Sequence, residues 1–418
     1  RRMAGHLQSI GIQPGDKVAI LSKNCAWWLM SDLAIWMAGG VSVPLYPTLA
    51  PDTISHILKH SEARACFIGK LDGWEAMAPG VPADLPCISY ALSPDSARKA
   101  YPLWDTLCKA AKPITGQPVR GGEDLATLIY TSGTTGMPKG VMHNFNNFAW
   151  ALDAGIRRLP MGKDDRMLSY LPLAHVVERV LVEHGWLRTG MHVFFADSLD
   201  TFTTDMQRAR PTIFFSVPRL WVKFQQAIQH KMPEHKLQRL LGLPLIGGLV
   251  RRKIQKTLGL DQARICAGGA APMPLALLQW YSKLGIAINE GYGMTENLAV
   301  SHITVPGKNQ QGSVGPAYEG VQDRIDPETG EIQMKSPALM QGYYKATEQT
   351  RDAFTADGWL RTGDKGRIDS DKCLHITGRV KDLFKTGKGK YVAPAPIEDK
   401  LGGHEAVEAC VVTGANLG

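Results

Sequence analysis

A run rich in glycine and hydroxyl residues, with a lysine near its end, is the strongest chemical signal in the sequence. It extends from Tyr130 to Gly140 and follows the apolar run Leu125–Ile129, which is typical of a buried strand. Glycines let backbone N–H groups approach an anion closely, and hydroxyl groups and a lysine add donors and charge. The stretch therefore predicts a polyphosphate-binding loop. Its candidate contacts are Thr131, Ser132, Gly133, Thr134, Thr135, Gly136 and Lys139.

Two other interpretations compete for this stretch. A loop rich in glycine, serine and threonine is often only a hydrophilic turn between two strands. The P-loop of kinases and ATPases needs Gly, four residues, and then Gly-Lys-Ser/Thr. Here Gly133 and Gly136 are three apart and Pro138 precedes the lysine, so the spacing does not fit a P-loop. The number and order of the small residues favour phosphate binding over a plain turn.

A second cluster, Asn289–Glu296, supplies a ring, a hydroxyl and a carboxylate. Tyr292 lies between two glycines, so a flat base could stack on its face. Thr295 and Glu296 offer the hydroxyl and the hard oxygen ligand that suit a nucleotide phosphate and its Mg²⁺. Considered alone, the cluster could equally be a glycine-rich turn with a surface acid. Beside the first stretch, it predicts the other half of a nucleotide site.

Together the two stretches resemble the signatures of the adenylate-forming superfamily, which comprises acyl-CoA synthetases, peptide-synthetase adenylation domains and luciferases. The resemblance implies that Tyr292 packs on adenine, that Thr295 reaches the α-phosphate, and that Glu296 holds Mg²⁺ with Thr131 as a second metal contact. It also implies further AMP contacts, from Gly269, Ala270, Ala271, Glu290 and Gly291.

Two later segments match the same family pattern. Asp364 ends the segment Gly358–Asp364, which resembles the ribose-binding motif, and Arg379 matches the arginine that holds the same ribose. A turn carboxylate is usually just solvated, but it is also the acceptor that a ribose diol needs. Lys381 falls at the family's hinge position.

The segment Leu171–His175 resembles the one that places an aromatic residue or histidine near the reacting carboxylate. A single histidine is more often a core or surface group, and the nearby Glu178 and His184 lack the His-Glu-x-x-His spacing of a metal helix. The family match nevertheless places His175 in the site. The catalytic candidates are thus Lys139, His175, Thr295 and Glu296.

Aromatic residues between the two clusters bear on the acid that is activated. Phe215 and Trp221, which would otherwise be core residues, lie in a region that resembles the long-chain fatty acyl-CoA synthetases more than the acetate or aromatic-acid branches. Phe195–Leu199 shares that likeness. Phe215 and Trp221 are therefore expected to border an acyl pocket.

Apolar runs bounded by glycine, proline and aspartate alternate with helical patterns through most of the chain. Val18–Leu21 and Val41–Val43 are predicted strands on either side of a helix, Trp27–Ala38, that Asn24 could cap. This alternation predicts an α/β fold whose mostly parallel sheets are covered by helices on both faces.

The resemblance adds the domain boundaries. Residues 1–378 are expected to form a large N-terminal domain of two helix-flanked, mostly parallel sheets, with a small distorted β-barrel at 321–378. Residues 379–418 are expected to be the hinge and the beginning of a small α+β C-terminal lid domain, most of which is missing. The chain is expected to be truncated at both ends, and without the lid's lysine to bind ATP and acyl-AMP but turn over poorly.

The composition of the chain bears on its cellular compartment and on its partners. The seven cysteines show no Cys-x-x-Cys spacing, which indicates reduced thiols and a cytoplasmic protein. The net charge of +8 has no nucleic-acid motif beside it, and anionic substrates explain it adequately. No signal peptide or membrane span is visible. The apolar run Leu240–Val250, followed by basic residues, is expected to cover the core, although a peripheral contact with the inner membrane face stays open.

The function predicted from these motifs is ATP-dependent activation of a medium- to long-chain fatty acid to acyl-AMP, followed by transfer to coenzyme A. The cofactors are ATP, Mg²⁺ and coenzyme A, the partners are these substrates, and no nucleic acid is expected. Two alternatives remain: an adenylation domain that loads a carrier-protein phosphopantetheine, and a non-catalytic acyl- or nucleotide-binding relative. Chain length and oligomeric state are left open.

Overall fold

The strands of the protein are mostly short, and many coincide with the apolar runs of the sequence. The computed structural model describes residues 1–117, 120–131, 137–308, 310–382, 384–385, 391–392, 394, 397–398, 401, 407 and 410–413. The strands, in chain order, are β1 (Lys17–Leu21), β2 (Val41–Leu45), β3 (Ala63–Ile68), β4 (Cys87–Ser89), β5 (Leu125–Thr131), β6 (Lys139–Asn144), β7 (Arg166–Ser169), β8 (His192–Phe195), β9 (Ile213–Ser216), β10 (Ile265–Gly268), β11 (Ile288–Tyr292), β12 (His302–Ile303), β13 (Gln322–Ile325), β14 (Glu331–Lys335), β15 (Gly342–Tyr343), β16 (Leu360–Ile368), β17 (Leu374–Arg379), β18 (Phe384–Lys385) and β19 (Tyr391–Val392).

Helices connect most of these strands, as the alternating pattern predicts. They are α1 (Arg2–Ser9), α2 (Ala26–Ala38), α3 (Pro51–Ser61), α4 (Trp74–Met77), α5 (Asp95–Ala100), α6 (Trp104–Ala110), α7 (Phe145–Arg158), α8 (Val176–Glu178), α9 (Gly185–Thr189), α10 (Phe202–Ala209), α11 (Pro218–Lys231), α12 (Glu234–Leu241), α13 (Ile246–Leu258), α14 (Leu275–Lys283) and α15 (Thr347–Asp352). A π-helical turn, Arg179–His184, joins α8 to α9, and 3₁₀ turns lie at Ala78–Gly80 and Thr295–Asn297.

The first sheet has seven strands in the order β15-β6-β5-β2-β1-β3-β4. The strands from β5 to β4 run parallel, and β6 and β15 are added antiparallel. Alternate residues of β1 enter two different cores: Val18 and Ile20 pack with α1 and α2, whereas Ala19 and Leu21 pack with α3. The sheet is thus buried on both faces, which is why β1 is continuously apolar from Val18 to Leu21 rather than alternating.

The second sheet has the order β12-β11-β10-β9, with β9, β10 and β11 parallel. The parallel pair β7-β8 lies beside this sheet. The two are joined where the backbone N–H of Thr212, just before β9, donates to the carbonyl of Arg166 at the start of β7 at 2.9 Å. Phe214, Trp221 and Tyr281 lie in the core that covers this sheet. The predicted α/β class with two helix-flanked, mostly parallel sheets is confirmed.

The third sheet is antiparallel and four-stranded, in the order β13-β14-β16-β17, and its strands lie between Gln322 and Arg379, in the region where the small barrel was expected. It continues into the segment 314–316, since the N–H of Val314 donates to Leu374 and that of Leu374 donates to Gly315. In its register Asp364 lies opposite Arg379, so one strand pair brings the two predicted ribose contacts together.

Two local expectations were wrong. Asn24 does not cap α2, whose N-cap is Cys25 and has no side-chain cap bond. The Asn24 side chain binds Ser169 and Leu171 of the neighbouring segment instead, because it is buried between α2 and β7. The run 240–250 does not simply cover the core, since Leu245 and Leu249 are exposed.

Two other sequence expectations bear on the setting of the protein. All seven cysteines carry free thiols, as their scattered spacing predicts. Within the part of the chain that the structure describes, no helix is both long enough and apolar enough to cross a membrane.

A buried arginine connects α2, the first sheet and the π-turn. Arg179 has no exposed side-chain surface and forms ion pairs with Asp32 on α2 and with Glu183 at 3.1 Å. It also donates to the hydroxyl of Thr127 on β5 at 2.7 Å. Its guanidinium lies over three aromatic rings, those of Trp28, Trp36 and Phe148. Burial and the neighbouring Asp32 carboxylate hold the pKa of Glu183 well above its usual range.

We expect Arg179→Met to lower the free energy of unfolding by about 3–5 kcal/mol, because it leaves two buried carboxyl groups without their cation. Urea unfolding measures the loss. The matched control is Arg188→Met, since Arg188 pairs with Asp153 at 3.3 Å on the surface and should cost about 1 kcal/mol or less. Equal losses in the two variants would contradict a stabilising role for the buried network.

Candidate active site

A cavity of about 1990 Å³ lies where the three sheets meet. Clefts that bind one small ligand usually measure about 300–1,000 Å³, so this cavity has room for more than one substrate. Most of the predicted site residues line it: Thr131, Lys139, His175, Phe215, Gly269, Ala270, Ala271, Glu290, Gly291, Tyr292, Thr295, Glu296, Asp364, Arg379 and Lys381. Ser132, Gly133, Thr134, Thr135 and Gly136 lie outside the described residues.

The β5–β6 hairpin brings one basic and one hydroxyl side chain to the cavity. Thr131 ends β5 and Lys139 begins β6, and the two are register partners. The Lys139 ammonium lies 5.1 Å from the centre of the Tyr343 ring. The Tyr343 hydroxyl in turn donates to Oε1 of Glu296 at 2.7 Å. A cation, a hydroxyl and a carboxylate therefore surround the same part of the cavity.

A buried histidine supports the turn that carries Thr295 and Glu296. Nε2 of His143 donates to the carbonyl oxygen of Thr295 at 2.7 Å. Burial lowers the pKa of His143 to about 4, so the ring is neutral and its one proton serves this bond. Neither His143 nor Tyr343 was predicted from the sequence. Strand alternation puts His143 on the same face of β6 as Lys139, which is the signal that could have identified it.

A tyrosine, an aspartate and an arginine form a second polar group in the cavity. The Tyr292 hydroxyl donates to Oδ2 of Asp364 at 2.6 Å, and Nε of Arg379 lies 3.4 Å from Oδ1. Burial raises the pKa of Asp364, while the Tyr292 hydroxyl and the Arg379 charge oppose the rise. The bond to Asp364 fixes the orientation of the Tyr292 ring. The two motifs, far apart in sequence, thus meet as the resemblance implies.

His175 precedes α8 and lines the cavity. Its Nδ1 accepts a hydrogen bond from the N–H of Val177 at 3.2 Å, which caps the helix. Burial lowers the pKa of His175, which favours the neutral ring. Because Nδ1 accepts from Val177, the proton of the neutral ring lies on Nε2. The segment before it is held by Asn24, which donates to the Leu171 carbonyl at 2.6 Å and accepts from the N–H of Leu173 at 3.0 Å.

One region of the cavity wall is apolar and lies between α7 and the helical segment that begins with α8; we call it the apolar arm. Its side chains include Ala151, Leu152, Leu159, Met161, Val176, Val177, Val180 and Leu181, and Gly155 contributes only backbone. Phe214 and Phe215 also line the cavity, as expected for Phe215. Trp221 does not reach it: its fully buried ring packs edge-on against Phe214 at 5.2 Å, so Trp221 belongs to the core behind the wall.

The residues around Glu296 fit a magnesium ion. Mg²⁺ usually binds one or two protein carboxylates and completes its shell with waters and substrate phosphates. Glu296 is one such carboxylate, and the Thr131 hydroxyl shares its cavity. Within the described residues no three His, Cys, Asp or Glu side chains gather as a metal cage, so Glu178 and His184 form none either.

Solved structures show the same fold. Anthranilate CoA ligase AuaEII with bound anthranoyl-AMP aligns with a TM-score of 0.82 at 24% identity, over 98% of this chain and 77% of that one. ATP-bound MatB from Rhodopseudomonas palustris aligns with a TM-score of 0.75 at 27% identity, over 96% of this chain and 76% of that one. The fold is therefore that of the adenylate-forming enzymes.

Sequence comparison gives the family. The family model for AMP-binding enzymes matches residues 1–344. Long-chain-fatty-acid–CoA ligase FadD15 of Mycobacterium bovis is 30% identical, over 99% of this chain and 73% of the ligase. Long-chain-fatty-acid–CoA ligase ACSBG2 of Gallus gallus is 30% identical, over 94% of this chain and 57% of the ligase. The chain belongs to the AMP-binding enzyme family.

The carboxyl group that supports the His175 segment predicts a pH dependence of stability. Burial raises the pKa of Glu178 from 4.5 to about 8, although Ser169 donates to it at 2.7 Å. The folded protein keeps this proton after the unfolded chain has lost it, so the group's contribution to stability falls as pH rises from about 4.5 to about 8. We expect Glu178→Gln to remove that part of the slope in urea unfolding between pH 5 and pH 8.5.

The matched control for that measurement is Glu348→Gln, at an exposed position on α15. It should leave the slope unchanged. A Glu178→Gln variant whose stability follows pH as steeply as the unsubstituted protein would contradict a proton held by Glu178.

Proposed function

We propose that the protein activates a medium- to long-chain fatty acid in two steps. The fatty acid carboxylate attacks the α-phosphorus of ATP, which gives acyl-AMP as pyrophosphate leaves. The thiol of coenzyme A then attacks the acyl carbon, and AMP leaves as acyl-CoA forms. The observation that carries this proposal is the shared cavity, where the candidate phosphate, nucleoside and carboxylate residues adjoin an apolar arm. The named ligase relatives support the choice of acid and acceptor.

The first step brings two anions together, so the site has to position them and neutralise charge; no covalent protein nucleophile is required. In the proposal Lys139 and the Thr131 hydroxyl bind the phosphates that leave. Thr295 binds the α-phosphate, and Glu296 holds the Mg²⁺ that supplies further neutralisation. His175 donates from Nε2 toward the reacting carboxylate.

The nucleoside half of the site is assigned to the second polar group. Tyr292 offers its ring to adenine, beside the small residues Gly269, Ala270 and Ala271, with Glu290 and Gly291 at the edge of the base. Asp364 and Arg379 bind the ribose. Two residues past the end of β17, Lys381 keeps its proposed role as the hinge toward the C-terminal part of the chain.

The apolar arm is the proposed acyl pocket. Each methylene moved from water into an apolar site contributes about 0.8 kcal/mol, so an arm lined by aliphatic side chains favours longer chains over acetate. Gly155 lies on the α7 side of the arm, and a Cβ added there meets no atom within 4 Å. A larger side chain at this position would fill the arm without disturbing the packing behind it.

We expect Gly155→Phe to lower kcat/KM for hexadecanoate at least about tenfold relative to octanoate, because the ring occupies the space of several methylenes. Acid-dependent pyrophosphate release and thioester formation are measured separately over a series of fatty acids. The control is Gly73→Phe, at an exposed position with equally open surroundings outside the cavity. An unchanged chain-length profile would exclude this arm as the acyl pocket. Absence of fatty-acid-dependent pyrophosphate release from the unsubstituted protein would overturn the proposed function.

We expect Tyr343→Phe to lower the rate of acyl-AMP formation about 10- to 100-fold and to raise the Mg²⁺ concentration needed for half-maximal rate. The variant keeps the ring next to Lys139 but loses the hydrogen bond that orients Glu296, and loss of such a supporting bond typically has an effect of this size. The control is Tyr344→Phe, whose hydroxyl binds Glu62 instead. A normal Mg²⁺ dependence in Tyr343→Phe would contradict the orienting role.

A further inference from the structure

The helical pair α12–α13 carries charge of a single sign. Residues 235–260 contain no aspartate or glutamate and six basic residues, Lys236, Arg239, Arg251, Arg252, Lys253 and Lys256. The acids at the two ends are already engaged, because Glu234 accepts from Trp280 at 2.9 Å and Asp261 pairs with Arg210 at 2.6 Å. All but Arg251 of the six are exposed, so this surface has a strongly positive potential.

The same surface exposes large apolar side chains. Leu245 is 90% exposed and Leu249 is 70% exposed, and Leu243 and Ile246 are each more than 40% exposed. Spacings of four and three residues place Leu249, Lys253 and Lys256 along one side of α13, and Leu245 is the N-cap residue before this helix. Exposed leucines that are followed by lysines on the same side of a helix contribute neither to the core nor to solubility.

The opposite side of α13 fixes this orientation. Ile254 and Leu258 are buried in the core, and Gly247 is packed so closely that a Cβ there would lie 2.4 Å from the Leu241 carbonyl oxygen. The helix therefore cannot turn its leucines inward without losing these contacts.

The turn before α13 holds Leu245 outward in an unfavourable backbone conformation. Leu245 has φ +65° and ψ −47°, and the N–H of Ile246 donates to the Pro244 carbonyl at 2.7 Å. This i to i+2 bond defines the rare, strained form of the γ-turn. A leucine gains little from such a conformation when its side chain is in water, whereas burial of that side chain in another phase would offset the strain.

We propose that this surface docks the protein on an anionic lipid membrane, with the leucines entering the interface and the basic side chains binding the lipid phosphates. We call it the Leu–Arg patch, and it comprises Leu243, Leu245, Ile246, Leu249, Arg252, Lys253 and Lys256. Apolar residues beside a cluster of Lys and Arg on a surface helix have the chemistry of an interfacial lipid contact. Each basic residue near an anionic surface strengthens the attraction to it.

Charge and size favour a membrane over a second copy of the chain or a nucleic acid. Two copies meeting through this patch would place one basic cluster against another, and a stable protein interface needs about 20–30 residues from each side. A nucleic acid would use the basic residues but would leave the exposed leucines in water. Only a surface with anionic headgroups over an apolar phase uses both parts of the patch.

Vesicle flotation with the full chain tests this proposal. We expect binding to phosphatidylglycerol–phosphatidylcholine vesicles that weakens with salt, and little binding to pure phosphatidylcholine. Leu245→Asp with Leu249→Asp should lower the partition coefficient at least about tenfold, and Arg252→Ala with Lys253→Ala should do the same. Leu92→Asp, at a 49% exposed leucine in the turn after β4, is the matched control and should bind normally.

Four outcomes would overturn the proposal. They are the absence of binding to anionic vesicles, equal binding by all variants, dimerisation that the patch substitutions abolish while vesicle binding is unaffected, and binding to duplex DNA with indifference to vesicles. Because vesicle binding needs neither ATP nor fatty acid, the result is independent of the proposed function. The substituted side chains are exposed and lie outside the cavity, so thermal unfolding should be unchanged and would reveal any misfolding.

Discussion

The buried guanidinium of Arg179 is the constraint on which the arrangement of the other elements depends. It lies on the π-turn and binds α2, β5 and the turn itself, while Val180 and Leu181 on the same turn line the apolar arm. An arginine without water is stable only if its donors are satisfied, so these elements cannot shift apart independently. π-turns are rare and frequent at functional sites. Here the turn allows one short segment to hold a buried ion network and a cavity wall at once.

Three separate sheets then contribute to one cavity, and the register of their strands determines which side chains meet. The β5–β6 pair places Thr131 opposite Lys139, and the β16–β17 pair places Asp364 opposite Arg379. A one-residue slip in either pair would turn one partner to the other face of its sheet. Among the described residues, strand pairing therefore determines which of these polar side chains meet in the cavity.

Much of the fold and of the cavity lining could be predicted from the sequence. Apolar runs indicated many of the strands within a few residues, and the glycine, hydroxyl and carboxylate clusters, with the family resemblance that they carry, indicated most of the residues that line the cavity. His143 and Tyr343 were missed because their roles depend on tertiary contacts with Thr295 and Glu296. For His143 the sequence offers only its place on the same face of β6 as Lys139. Trp221 was assigned to the wrong side of the wall, since aromatic content does not tell which face of α11 turns toward the core. Asn24 fails as a cap for a similar reason: its burial against β7 offers better partners than the start of α2.

Gly155 shows how this scaffold could change its substrate range. The glycine lies on a long helix whose other contacts are secured elsewhere, and the space above it is open. Replacing it would alter the length of the arm, while Tyr292 and Asp364, the proposed nucleotide contacts on the second and third sheets, would stay as they are. If the arm holds the acyl chain as proposed, a single codon sets its length without affecting folding or the phosphate contacts, so related sequences could diverge in acid preference by single substitutions.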